Sequence, residues 1–202
     1  MSTLNVDNIN EYTSAGGVTI DGVLIKDGSI ASVGGFQHID TTTFTSAASW
    51  SKSNVFSSTY DVYRIYATLD SSNYANHQVW FQLAASGTAV ATGYVAKRFY
   101  EEVTGSSFTH AVTSTTNGFY IADPGGNNAA IWLADITLSH PFASKNTMYK
   151  SDSTGQYASA QYRQNAFGYL NNNNSYDGYK FNFHSNGTSN TGTVSVYGLG
   201  KG

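Results

Sequence analysis

Histidine and carboxylate side chains, the usual metal ligands and acid–base catalysts, are sparse in this sequence of 202 residues. Its five histidines stand at positions 38, 77, 110, 140 and 184, and no two have the close spacing of a chelating pair. Glu101 and Glu102 are adjacent, so on a strand their side chains would point to opposite faces. The sequence therefore predicts no metal, no cofactor and no catalytic residue.

Four aspartates lie at positions that we interpret as turns or strand ends: Asp70, Asp123, Asp135 and Asp177. A pair formed by Asp135 and one of the glutamates would suit glycoside hydrolysis, which needs two carboxylates about 5–10 Å apart. Motifs of nucleophilic hydrolases, P-loops and dinucleotide sites are absent from the sequence. We interpret the protein as not an enzyme, with a polysaccharide-degrading enzyme as the weakest alternative.

Aromatic and amide side chains offer better material for binding a sugar. Flat rings can cover the C–H face of a pyranose while polar side chains bind its hydroxyls. Trp80 stands between Gln78 and Gln82 on the predicted polar face of its strand, and a second cluster occupies the Asn-rich stretch 169–179. The predicted glycan contacts are Trp80, Tyr169, Asn172, Asn174, Tyr176, Asp177 and Tyr179. The alternative is that these aromatic residues pair across a sheet and stabilise it.

The composition is typical of β-strands joined by polar turns. Charged residues make up 11% of the chain, against roughly 25% in typical soluble domains. The remainder is rich in Tyr, Thr, Val and Phe, which favour strands, and in Asn and Gly, which favour turns. The net charge of −3 and the absence of any basic run longer than Lys97-Arg98 argue against nucleic acid. No apolar run reaches the ~18 residues that membrane insertion requires.

From Phe36 onward, apolar and polar residues alternate in long segments, which predicts half-buried strands. In segment 60–70 the apolar face runs from Tyr63 to Leu69, and segment 77–87 alternates in the same way. About nine strands are predicted: 38–45, 60–70, 77–87, 90–103, 108–113, 129–139, 156–165, 179–185 and 191–200. We therefore expect residues 36–202 to form an antiparallel, jelly-roll-like β-sandwich.

Residues 1–35 have a different sequence pattern. Short apolar runs are separated by Gly-Gly and Asp-Gly steps, which indicate tight turns. Strands this short cannot bury their own apolar faces in a monomer. The segment therefore predicts an extended arm that anchors or oligomerises the chain; the alternative is a strand or two packed on the main domain. The residues expected to form this contact are Val18, Ile20, Val23, Leu24 and Ile25.

The arm also carries a family resemblance. The stretch TSAGGVTIDGVLIKDG, residues 13–28, resembles the N-termini of virion structural and tail-fibre-like proteins of tailed bacteriophages. Segments 49–72, 79–88 and 192–199 look like the β-sandwich domain that recurs in the same class of proteins. Together these segments touch both ends and roughly half of the chain.

The resemblance implies a non-enzymatic component of the virion, assembled in the bacterial host cytoplasm and commonly a homotrimer. Its N-terminal arm would bind other virion proteins, and its β-domain would face outward. We interpret the chain as a tail or baseplate fibre whose β-domain recognises a glycan of the host surface. A head fibre or capsid decoration protein that stabilises the shell is the alternative within the same family.

Overall fold

A computed structural model describes residues 18–20, 23–26, 29–30, 35–71, 78–102, 108–115, 117–122, 130–157, 160–183 and 190–200. In these ranges every regular element is a β-strand and no α-helix occurs. The predicted all-β class is therefore confirmed. The same ranges hold no helix with the length and hydrophobicity to cross a membrane.

The chain divides into two compact units, residues 1–35 and residues 36–201. The first unit contains an antiparallel sheet of three short strands in the order β1-β2-β3. These strands are β1 (Val18–Ile20), β2 (Val23–Lys26) and β3 (Ser29–Ile30). All five residues predicted to anchor or oligomerise the chain lie in β1 and β2, and their role stays a prediction.

The second unit is built around a large antiparallel sheet of eight strands in the order β10-β9-β14-β13-β12-β6-β16-β4. The strands are β4 (Phe36–Ala47), β6 (Tyr60–Ser71), β9 (Tyr94–Glu102), β10 (Phe108–Thr115), β12 (Ala130–Ser139), β13 (Thr147–Tyr157), β14 (Ala160–Leu170) and β16 (Asn190–Gly200). From β9 through β14, β13 and β12 to β6, the register runs without a bulge.

A smaller sheet of five strands covers the inner face of the large one. Its order is β11-β7-β15-β5, and β8 forms a hairpin with β7. The strands are β5 (Ser49–Lys52), β7 (Val79–Ala85), β8 (Thr88–Ala89), β11 (Phe119–Ala122) and β15 (Gly178–Phe183).

The core between the two sheets is largely aromatic. Phe44 of the large sheet stacks on Trp50 and Phe183 of the small sheet, with ring centroids 5.3 and 5.6 Å apart. Phe119 of the small sheet stacks on Tyr149 of the large one at 3.9 Å. On β6 the predicted apolar face is confirmed, because all four of its members are buried: Tyr63, Ile65, Ala67 and Leu69. The predicted antiparallel sandwich is confirmed as well.

The single strand predicted at 156–165 is wrong, because residues 156–157 end β13 and residues 160–165 form the first half of β14. The inner face of β13 carries buried serines where an apolar pattern would need hydrophobic residues. Ser151 donates its hydroxyl to the Tyr120 carbonyl (3.1 Å), and Ser153 donates to the Ile121 carbonyl (2.6 Å). These hydrogen bonds satisfy the buried hydroxyls and tie β13 to β11, so β13 is a core strand without the hydrophobic alternation of one.

Candidate binding surface on the outer face of the large sheet

The predicted glycan contact is wrong for three aromatic residues, because their side chains are buried in the core. Trp80, Tyr176 and Tyr179 are 2%, 1% and 0% exposed. The Trp80 ring lies 3.9 Å from that of Tyr120, and the Tyr179 ring stacks on Phe81 at 5.2 Å. β7 lies between β11 and β15 and is covered on both faces, so the polar face predicted for Trp80 does not meet solvent.

Asp177, another predicted glycan contact, instead forms hydrogen bonds that join the 171–177 connection to neighbouring loops. Its Oδ1 accepts a hydrogen bond from the Ser86 backbone N–H at 2.9 Å. Its carbonyl accepts hydrogen bonds from the N–H groups of Val55 and Phe56, at 2.9 and 3.0 Å. Together with the buried ring of Tyr176, these bonds fix the end of the 171–177 connection to the sandwich.

The other three predicted contacts stay together at one end of the large sheet. Tyr169 is partly exposed near the end of β14, and the connection 171–177 begins directly after that strand. The Asn171 N–H donates to the Gly93 carbonyl at 2.9 Å, which joins this connection to the start of β9. Asn172 accepts a hydrogen bond at Oδ1 from the N–H of the exposed Asn174, at 3.0 Å. This bond closes a turn over residues 172–174.

The register of the large sheet surrounds Tyr169 with side chains that the sequence did not single out. Met148 on β13 and Val95 on β9 are its direct cross-strand partners on the outer face. Between these strands lies a groove of about 360 Å³. We call it the outer groove, and its lining residues are Val95, Ala96, Lys97, Met148, Tyr149, Phe167, Gly168 and Tyr169.

Phe167 is the main exposed ring of the outer groove. It is 47% exposed, and Phe99 stacks against it with ring centroids 6.1 Å apart and planes inclined by 23°. Its direct cross-strand partners are Lys150 on β13 and Lys97 on β9, and both lysines are exposed. The arrangement is a supported aromatic platform with an ammonium group on either side.

The backbone beneath the outer groove is tightly packed. A Cβ at Gly168 would lie 2.0 Å from the Val95 carbonyl oxygen and 2.8 Å from the Ala96 Cα, so only glycine fits here. At the same end of β9, the buried Tyr94 hydroxyl accepts a hydrogen bond from the Leu83 N–H (2.9 Å) and donates to the Val90 carbonyl (3.0 Å). Burial raises the pKa of this hydroxyl above the usual value of 10.0. The groove is therefore built on a part of the sheet that is fastened to the core.

Two arginine–aspartate pairs occupy the centre of the outer face, beside the outer groove. Arg64 binds both carboxylate oxygens of Asp135, with an Nε–Oδ1 distance of 3.0 Å, and Arg163 binds Asp152 at 3.1 Å. Asp135 lies within β12 and not at a turn or strand end, so that prediction is wrong. Glu101 is three strands away from Asp135, at least about 14 Å, so these two cannot form the suggested carboxylate pair.

Comparison with protein-family models, with curated proteins and with solved structures finds no match to this chain. Within the described ranges, no group of three or more histidine or acidic side chains is placed to hold a metal ion. The chemistry of the surface therefore follows from its own side chains: apolar and aromatic groups in a groove, amides at one end and two lysines beside the principal ring.

Proposed function

We propose that this protein is a structural component of a bacteriophage virion whose β-sandwich binds a glycan of the host surface through the outer groove. The observation that carries the proposal is the exposed ring of Phe167 beside Tyr169, next to the amide turn of Asn172 and Asn174. The resemblance of residues 13–28 to the arms of tail-fibre-like proteins supports the virion assignment. In this proposal the protein binds its glycan and does not cleave it.

The shape and lining of the outer groove suit a sugar ring. Its volume of about 360 Å³ lies within the range of small-ligand sites, roughly 300–1,000 Å³. A pyranose placed on Phe167 would cover apolar surface with its C–H groups and leave its hydroxyls at the rim. In this proposal the side-chain amides of Asn172 and Asn174, in the connection that follows Tyr169 and Leu170, bind some of these hydroxyls.

The proposal is tested by applying the full-length protein to an array of bacterial O-antigen and capsular polysaccharides. We expect saturable binding to a subset of these glycans, with the polymer unchanged in length after prolonged incubation. Binding to none of them would contradict glycan recognition, and shortened products would support the alternative of a polysaccharide-degrading enzyme.

A head fibre or capsid decoration protein is the second candidate, and one observation favours it. Phe36 and Leu199 are direct cross-strand partners at the far edge of the same face, 42% and 36% exposed. An exposed apolar pair at a sheet edge is suited to contact with a neighbouring protein such as a shell subunit. Antibody labelling of virions in electron micrographs separates the two: label at the tail supports the fibre, and label over the head supports decoration.

We further propose that the arm, residues 1–35, joins the protein to its own copies as a homotrimer and to other virion proteins. Deleting residues 1–35 is expected to leave a folded sandwich, because that segment is a separate compact unit. The shortened protein should sediment as a monomer and fail to enter particles. Sedimentation and virion incorporation measure this outcome, and a trimeric or normally incorporated product would show that the contact lies elsewhere.

A further inference from the structure

We infer that the outer groove selects an acidic glycan, a polysaccharide whose sugar units carry carboxylates. This inference rests on the proposed glycan-binding function and narrows it to one class of ligand. It is carried by the cross-strand arrangement of Lys97, Phe167 and Lys150, which places a positive charge on both sides of the aromatic platform.

The distance between the two lysines is suited to one sugar unit bound between them. Lys150 and Lys97 lie on the strands on either side of Phe167, so their Cα atoms are about 10 Å apart, twice the strand spacing. Both side chains are exposed and long enough to reach inward over the ring between them. The carboxylate of a hexuronic acid projects from the edge of the sugar ring. A uronate stacked on Phe167 would therefore direct that group toward Lys97 or Lys150.

Neither lysine is neutralised by a neighbour. Among the residues that the structure describes, Lys97 and Lys150 have no ion pair, whereas Arg64 and Arg163 on the same face each bind an aspartate. Lys150 shares a second pocket of this face with Asp135 and Asp152, and each of these carboxylates is already bound by an arginine, Asp135 by Arg64 and Asp152 by Arg163. The outward positions beside Lys97 on β9 are held by Val95 and Phe99. Two lysines without an ion pair therefore lie on either side of the aromatic platform, Lys97 in the lining of the outer groove and Lys150 at its border.

Because the protein as a whole is negatively charged, the attraction of an acidic glycan would depend on Lys97 and Lys150. The chain carries a formal net charge of −3, so it has no general attraction for a polyanion. Binding of an acidic polymer must then depend on the cations in direct contact with it. Because these cations are exposed, added salt should weaken the binding.

The experiment compares acidic polymers with their own neutral forms. The full-length protein is passed over immobilised polygalacturonate, alginate and hyaluronan, and over the same polymers after chemical reduction of their carboxylates to alcohols. We expect at least one acidic polymer to bind 10-fold or more tightly than its reduced form. The double variant Lys97→Gln/Lys150→Gln should lose that preference. The control Lys180→Gln, on the small sheet, should keep it.

The possible outcomes separate this inference from the proposed function. Equal binding to acidic and reduced polymers, or binding only to neutral glycans of the bacterial array, would overturn the inference and leave glycan recognition intact. An equal loss in Lys180→Gln would also overturn it, since the attraction would then not belong to the groove. Failure to bind any glycan, acidic or neutral, would contradict the proposed function itself.

Discussion

Replacing Phe167 with alanine is expected to weaken glycan binding by about 4- to 12-fold. A ring that covers a sugar removes apolar surface from water, and full burial of a phenylalanine is worth about 1.5–3 kcal/mol. Phe167 is already about half buried in the free protein, so we expect about half of that free energy, roughly 0.8–1.5 kcal/mol. The affinity of Phe167→Ala for a glycan bound by the wild type gives the measurement.

The matched control is Phe36→Ala. Phe36 lies on the outer face of the same sheet with a similar exposed fraction, 42% against 47%, but on the edge strand β4 and outside the groove. We expect its affinity for the glycan to equal that of the wild type. A similar loss in both variants would mean that exposed apolar area in general, and not the groove, drives binding. If Phe167→Ala binds the glycan with wild-type affinity, the Phe167 ring does not contribute to the binding site.

Replacing Gly168 with alanine is expected to destabilise the fold by about 3 kcal/mol. The added Cβ would lie 2.0 Å from the Val95 carbonyl oxygen, and backbone in the middle of a sheet cannot yield without separating β9 from β14. Overpacking a core side chain costs about 1–3 kcal/mol, and a clash with backbone belongs at the upper end. For a domain of this size the melting temperature should fall by roughly 6–12 °C.

Gly200→Ala provides the control, because no atom lies within 4 Å of the Cβ that it would add. Thermal and urea unfolding should show this variant within about 0.5 kcal/mol of the wild type. In Gly168→Ala we also expect weaker glycan binding, since the clash is directly beneath the outer groove. A Gly168→Ala protein with wild-type stability would contradict the close approach of β9 and β14.

The fold was predictable from the sequence where each strand has one buried and one exposed face. On β6, Tyr63 and Leu69 mark the buried face, and alternation alone identifies it. β13 escaped prediction because its inward positions include Ser151 and Ser153, whose partners are backbone carbonyls of β11. A strand that is buried through hydrogen bonds leaves no hydrophobic period to recognise.

Part of the candidate site was predictable from the sequence. The errors concern aromatic side chains whose burial depends on the tertiary structure and is not visible in the local sequence. Alternation predicts a solvent-facing side of β7 for Trp80, but it does not show whether a strand lies at the centre of a sheet with both faces covered. Tyr176 and Tyr179 lie in a polar, Asn-rich stretch, yet their rings enter the core. Composition identified the turn of Asn172 and Asn174 correctly as exposed or partly exposed, and it could not say which rings lie beside it.

The outer groove itself was beyond prediction, because it is assembled by register. Phe167 and Met148 come from the consecutive strands β14 and β13, Lys97 comes from the distant strand β9, and a shift of one residue would turn any of them to the core. One signal was present on β14. Its outward positions change from Arg163 and Asn165 to Phe167 and Tyr169, so that exposed aromatic residues replace polar ones toward the end of the strand.

The most direct test of glycan recognition by the outer groove is a nuclear magnetic resonance titration of the full-length, isotope-labelled protein. The titrant is an oligosaccharide cut from a polysaccharide that binds on the array. We predict that the largest shift changes fall on Val95, Lys97, Met148, Phe167 and Tyr169, and that Lys180 on the small sheet stays unchanged. Changes confined to the small sheet, or spread evenly over the protein, would contradict the assignment of this surface.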